Sequence, residues 1–331
     1  MKILIIRFSS IGDIVLTSPV VRCIKKQIPS SEIHYLTKKS FKGIIEHNPH
    51  IDVKHYLDDN WKEVINSLKK ENFSFIADLH NNFRSWQVRM SLRKRYNAVN
   101  KLNFEKWLLV NMKWNILPPV HLVDRYLETV RDIGIKNDGK GLDYFITPQD
   151  EILPEELPLS HLHGFIAIAI GGHHETKKLP EGKLRNLVRN LPFPIIILGG
   201  SEDQLTGESI RGEDPVKIFN ACGKYSLNQS ASIIRQSRMV ITHDTGLMHI
   251  AAAFKKKIIS IWGNTVPEFG MYPYFGSGNE NQLASLSRMI EITGLNCRPC
   301  SKIGYQKCPQ GHFKCMKQID EQAVSEMVGH F

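Results

Sequence analysis

Asp244, Thr245 and Gly246 follow the apolar stretch 238–242 and open a run of helix formers that carries His249. The first amides of a helix have no intrahelical partner, and with the helix dipole they favour an anion. Gly246 lets an oxygen of that anion come close, and His249, nearly one turn on, can face the same ligand. The alternative for a single helical histidine is a packed structural role. Other strand ends carry comparable chemistry. Gly171 and Gly172 precede Lys177 and Lys178, which supplies positive charge for a diphosphate without the spacing of a P-loop. Glu202, in 199-GGSED-203, reads either as an acceptor for ribose or base hydroxyls and amines or as a first-turn helix acid. Near the N-terminus, 7-RFSSIGD-13 places Asp13 at the start of a helix, as a general base or as an acid that suits the helix dipole. The loop 78-DLHNNFRS-85 presents Asp78, His80, Asn82 and Arg84, a polar lip for a sugar or anion, or ordinary turn chemistry at Asn81-Asn82.

The elements that must position these groups are short apolar strands alternating with amphipathic helices. Strands are expected at 2–6, 33–37, 53–57 and 73–78, then at 165–170, 193–198, 216–221, 238–242 and 257–262. A helix over 18–28 is capped by Ser18 with Pro19 at its first turn; the other reading starts it at Asp13 and kinks it at Pro19. Near-continuous apolar strands separated by helices mean parallel sheets buried on both faces, with ligands at the carboxyl ends of the strands. The proline- and acid-rich stretch 148–164 reads as a linker. The expectation is an α/β chain of two Rossmann-like domains facing across a cleft, 1–155 and 156–331. The last helix has the option of packing back on the first domain.

At 331 residues and 42% hydrophobic, the chain has enough apolar content for two cores. No run approaches the ~20 apolar residues of a membrane span, and the N-terminus lacks a signal-peptide layout, so the expected location is the cytoplasm. The net charge of +10 suits an anionic small substrate or an anionic membrane surface. The basic residues are scattered and no nucleic-acid-binding motif is present, which argues against DNA or RNA. Lys residues alternate with Trp107, Trp114 and aliphatic residues in 101–119, a pattern for a membrane surface, an acceptor site or a packed helix. Of six cysteines, Cys23 and Cys222 read as core positions. Cys297, Cys300, Cys308 and Cys315, with His312 among them, have the ligand types of a structural zinc site. Reduced thiols and a disulfide are the alternatives, the cytosol disfavouring the disulfide.

Three blocks, MKILIIRFSSIGDIVLTSPV, KKLPEGKLRNLV and ITHDTGLMHIAAAF, resemble the ADP-heptose:lipopolysaccharide heptosyltransferase family, glycosyltransferase family 9, in order along essentially the whole chain. The resemblance implies a GT-B fold, with the acceptor bound on the first domain (1–155) and the nucleotide sugar on the second (156–331), and an inverting, metal-independent transfer of heptose from ADP-heptose to a sugar of the lipopolysaccharide inner core. It implies Asp13 as the base, Lys177 at the diphosphate, Glu202 at ribose or base, and Asp244, Thr245, Gly246 and His249 in the donor block. Arg7, Ser10, Gly12, His80 and Arg84 are the acceptor-side candidates. The implied partners are a nucleotide sugar and a lipid-linked oligosaccharide, with the protein peripheral to the inner face of the cytoplasmic membrane and no cofactor required. Leu179 stands where many relatives have tryptophan, and Gly172 and His173 replace hydroxyl residues, so the diphosphate contacts need not be the same. A different nucleotide-sugar donor, or a non-catalytic nucleotide-sugar-binding role, are the competing readings.

Overall fold

Five strands of the first half pair in parallel in the computed structural model, which describes residues 1–58, 60–278 and 285–331. They are β1 (Lys2–Ile6), β2 (Glu32–Lys38), β3 (Val53–Leu57), β4 (Phe75–Asp78) and β5 (Tyr96–Ala98), in the order β3-β2-β1-β4-β5. The central β1, KILII, registers Ile3 against Ile33 on one side and Phe75 on the other. Ile3 to Ile6 are fully buried, as a strand covered on both faces requires. The helices are α1 (Ile11–Val15), α2 (Ser18–Gln27), α3 (Lys42–Ile45), α4 (Trp61–Lys70) and α5 (Phe83–Leu92). Both readings of the N-terminal helix are half realised. The chain turns at Thr17, whose hydroxyl donates to the Ile14 carbonyl at 2.7 Å, and α2 restarts at Ser18 with Pro19 in its first turn. At the opposite, amino-terminal edge of this sheet, the Lys2 ammonium lies 2.8 Å from Glu71 and 3.4 Å from Glu32.

The second half forms β6 (Ile166–Ala169), β7 (Ile195–Leu198), β8 (Ile218–Asn220), β9 (Met239–His243), β10 (Lys257–Trp262) and β11 (Ser287–Glu291), all parallel, in the order β11-β10-β9-β6-β7-β8. Helices α6 (Asn103–Met112), α7 (Leu122–Glu128), α8 (Glu181–Asn190), α9 (Gln204–Arg211), α10 (Leu227–Gln236) and α11 (Gly246–Ala253) complete the labelled set. The C-terminal helix Glu321–Gly329 packs on α8, and its Val324 and Val328 join the core of the second sheet.

The chain divides into two compact units. The first comprises Met1–Lys101, Val120–Phe145 and Tyr274–Gly278. The second comprises Leu102–Pro119, Ile146–Pro273 and the described residues from 285 to Phe331. Helix α6 therefore belongs to the second unit, where Leu109 forms a small cluster with Val266 and Phe269. The stretch 148–164 is fixed along α10: the Ile152 amide donates to the Ser232 hydroxyl at 3.0 Å, and Glu151 accepts from Ser232 and Arg235. No helix among the described residues is long and apolar enough to cross a membrane.

In the first unit, α2 is tied to the segment 138–143 by the buried Arg22. Its guanidinium donates to both oxygens of Asp138, to Asp143 and to the Gly141 carbonyl. Removing one partner of a buried pair strands the others. Arg22→Leu is expected to cost about 3 kcal/mol of unfolding free energy, measured by urea denaturation; a loss no larger than that of an exposed arginine variant would contradict this role.

Candidate active site

The first unit gathers Arg7, Ser10, Asp13 and His80 beyond the carboxyl ends of β1 and β4. Asp13 is the third residue of the short α1, and its carboxylate folds back on the helix start. Oδ2 accepts from the Ser10 hydroxyl at 2.7 Å and from the Ser10 amide at 3.2 Å. Oδ1 pairs with Arg7 Nη2 at 2.7 Å. The same guanidinium donates to the carbonyls of Ser9 and Leu79, each at 2.7 Å, so it also fixes the start of the 79–82 loop. The His80 ring packs on Phe8 at 5.0 Å between centroids. Burial, reinforced by the Arg7 charge, drops its pKa to about 3, so the imidazole is neutral near pH 7. Its Nδ1 is buried without a hydrogen-bond partner among the described residues.

The other polar residues of this lip serve the turn. Asp78 is fully buried and accepts the amides of His80 and Asn81 while pairing with Arg89 at 3.1 Å. Asn82 caps α5 by accepting the Ser85 amide. Arg84 lies exposed on the first turn of α5, and Gly12 is buried inside α1.

The second unit gathers Lys177, Lys178, Glu202, Asp244 and Thr245 beyond β6, β7 and β9. Lys177 Nζ lies 2.6 Å from Asp244 Oδ2, which also accepts the Thr265 hydroxyl at 2.9 Å. Lys178 Nζ lies 2.8 Å from Glu175 and 3.0 Å from Asp203. The loop bearing both lysines is held at two further points. The Thr176 hydroxyl bonds Asn264 at 3.1 Å, and the Leu179 amide donates to His243 Nε2 at 2.9 Å. Thr245 precedes α11 in extended conformation and makes no side-chain cap, so its hydroxyl, 3.2 Å from that of Thr242, leaves the helix start open. A ligand anion at that end would meet bare amides.

Two glycines here are needed for packing. A Cβ on Gly171 would lie 2.7 Å from the Asp203 carboxylate, so the expected room for a ligand at Gly171 is taken by that side chain. A Cβ on Gly200 would lie 2.3 Å from a Glu202 carboxylate oxygen, so glycine lets Glu202 fold over the backbone. His249, the fourth residue of α11, is buried at 1% exposure rather than open to a ligand at the helix start. His243, not singled out beforehand, is the last residue of β9 and buried. Its signal was its place beside Asp244, but a histidine at the end of an apolar strand does not reveal which amide it accepts.

None of the six cysteines is in a disulfide. Burial first, and then the neighbouring cysteines, raise the Cys300 and Cys315 thiols, the latter to about 11, so the clustered residues do share one region. His312 Nδ1 accepts the Lys314 amide at 3.0 Å; in the neutral ring Nε2 then carries the proton and points it at Cys297 Sγ, 3.7 Å away. Among the described residues, only Glu32, His34 and Glu71 bring three ligand atoms within 4.8 Å of one another, and Lys2 is already their counter-ion. No three ligand atoms of the cysteines and His312 lie within that distance of one another.

The sequence model of a family described as "Glycosyltransferase family 9 (heptosyltransferase)" matches residues 61–293. Lipopolysaccharide heptosyltransferase 1 of Campylobacter coli is 27% identical over 300 residues, covering 80% of this chain and 84% of that protein. The solved structure of E. coli ADP-heptose lps heptosyltransferase II superposes with a TM-score of 0.74 at 19% identity, covering 100% of this chain and 98% of that one. That of E. coli heptosyltransferase WaaC with ADP gives 0.71 at 18% identity, covering 100% and 99%. The fold is accordingly GT-B, built of two Rossmann-like parallel-sheet domains.

Burial holds His243 at about 4, below its ordinary 6.5. In the unfolded chain the ring takes a proton near 6.5 that the folded state refuses until about 4, so stability must fall as pH drops through that window. His55 and His80, held at about 4 and 3, act with the same sign. His243→Gln, which keeps an acceptor for Leu179, should make urea stability fall less steeply between pH 6.5 and 4; an unchanged slope would refute the assignment.

Proposed function

The chain belongs to glycosyltransferase family 9, and from that premise we propose that it transfers a heptose from ADP-heptose to an inner-core sugar of lipopolysaccharide, with inversion and with no metal ion in the chemical step. As a member of that family it is a glycosyltransferase. The observation that carries the donor half is Lys177, fixed at 2.6 Å by Asp244 beside the uncapped start of α11. That is an anion site with a cation and bare amides already in place.

In this reading the acceptor hydroxyl gives its proton to the Asp13 carboxylate as its oxygen attacks the anomeric carbon. The bond from that carbon to the ADP oxygen breaks, and ADP leaves with the electron pair. Arg7 and Ser10 orient Asp13 from opposite oxygens of its carboxylate. His80, neutral and with an unpartnered ring nitrogen, is placed to take a hydrogen bond from or give one to the acceptor. Arg84 and the backbone around Gly12 complete the acceptor-side candidates. On the donor side Lys177 and the α11 amides stabilise the charge that builds on the diphosphate. Asp244 and Thr265 position Lys177, Thr245 and Gly246 shape the approach, and Glu202 holds the ribose or base. His249 forms the floor of this end.

The relatives' names support the substrates: one solved relative carries ADP, and another is named an ADP-heptose enzyme. We place the protein in the cytoplasm, at the inner face of the membrane where a lipid-linked acceptor is presented. Zinc at Cys297, Cys300, Cys308 and Cys315 would be structural and would require the thiols to draw together.

ADP should raise the melting temperature and UDP should not; the reverse would move the donor assignment to another nucleotide sugar. Asp13→Asn should lower kcat by ~10²–10⁴-fold while ADP still stabilises the fold. Full activity in that variant would remove Asp13 as the base. Lys177→Ala should lower kcat by ~10²–10³-fold, the scale for losing one preorganised donor, and weaken the ADP shift.

Elemental analysis of the reduced, purified protein should find zinc if the cysteines hold it. A metal-free, fully folded chain would leave them as thiols.

A further inference from the structure

Helix α6 shows the solvent an aromatic face. Phe104, Trp107 and Asn111 share one side at helical spacing, while Leu109, on the other, packs with Val266 and Phe269. Phe104 is 66% exposed, Trp107 53%, Met112 63% and Trp114 65%. Single exposed apolar residues are ordinary, but three on one ten-residue helix with a fourth, Trp114, just past its end are not. This face is continued by a second element. Lys113, at the end of α6, donates to the carbonyls of Cys297 (3.4 Å) and Pro299 (2.7 Å), and Lys302 donates to Asn103 Oδ1 at 3.4 Å. These bonds seat the cysteine-bearing loop against both ends of α6.

That loop is basic. From 297 to 317 it contains Arg298, Lys302, Lys307, Lys314 and Lys317 and no acid at all. Arg298 is committed to Glu291 and to three carbonyls. The four lysines are exposed, and Lys302 and Lys307 bracket Ile303 and Tyr305, both also exposed. The single acid in 101–119 is Glu105.

We propose that α6 and the 301–307 loop together form a docking face for an anionic lipid bilayer, the aromatic side chains entering the interface and the lysines meeting the headgroups. Tryptophan and tyrosine favour the membrane–water boundary, and lysines are drawn to an anionic surface within a Debye length of it. Neither signal suffices alone: a ten-residue helix buries little apolar area, and scattered lysines bind weakly. Their union on one surface selects an anionic membrane over a neutral one. The inference extends the reading of a lipid-linked acceptor, by naming the surface that would hold the enzyme where that acceptor is anchored.

The test is co-sedimentation of the full chain with vesicles of phosphatidylglycerol and phosphatidylcholine, against phosphatidylcholine alone. Binding is expected only to the anionic vesicles. Trp107→Ser with Trp114→Ser, and separately Lys302→Glu with Lys307→Glu, should each weaken partitioning at least about tenfold. Both variants should keep their circular dichroism and their stabilisation by ADP. Equal binding to neutral vesicles, no binding, or unchanged binding by the variants overturns the proposal. So does a dimer that the tryptophan variant converts to monomer, which would assign the face to a second copy. The ADP response of the wild-type chain reports on the transferase reading separately, so the two can fail independently.

Discussion

A strand covered on both faces has nowhere to put a charge. In both sheets of this protein the central strands are fully buried, and an unpaired ion inside them would be too costly to keep. Side chains that do chemistry are thus confined to strand ends, where the backbone turns and helix starts leave amides open. Asp13, His80, Lys177, Glu202 and Asp244 all occupy such places. The constraint also explains why the donor-side residues come from distant parts of the sequence: β6, β7 and β9 are adjacent in register, so their loops emerge together.

Charges concentrated at strand ends must be neutralised while no substrate is present. Each half meets this by internal pairing: Arg7 with Asp13, Lys177 with Asp244, and Lys178 with Asp203 and Glu175. These pairs are partly buried, and their net effect on stability is small because desolvation offsets attraction. Their value is geometric. A lysine held by one carboxylate keeps a fixed direction, and its ammonium carries three donors, more than that one carboxylate oxygen uses.

Sequence patterns revealed most of the sheet and less of the site. Apolar runs located nine strands because burial on both faces writes an unbroken signal. Tyr96–Ala98 and Ser287–Glu291 escaped: each lies at a sheet edge, one is only three residues long, and the other, SRMIE, is apolar only at Met289 and Ile290. The polar lip 78–85 looked richer than it is, since Asp78 and Asn82 are consumed by amides of their own turn. No local pattern could show this, because a capping acid and a ligand-binding acid have the same composition. The same ambiguity surrounds Asp13, which bonds back to Ser10 in the first turn of α1, beyond the carboxyl end of β1. His243 was invisible for a different reason: its partner, the Leu179 amide, is 64 residues away.

That long-range bond has a consequence for how the donor half works. The 173–180 loop touches the rest of its unit through Thr176, Lys177 and Leu179, three consecutive anchors apart from Lys178, which has its own acids. Leu179 then inserts into the core, 3% exposed, where a tryptophan would demand more volume. The loop's lysines are thereby held in place by contacts within the protein itself. In the reading proposed above, electrostatic stabilisation of a leaving group is strongest when such groups need no reorganisation at the moment of transfer. The His243 imidazole is part of that rigidity because it is neutral and its Nε2 is free to accept. A protonated ring would lose the acceptor and place a buried positive charge beside Lys178. Burial of one histidine thus protects the placement of a neighbouring loop whose positive charge is set for an anion.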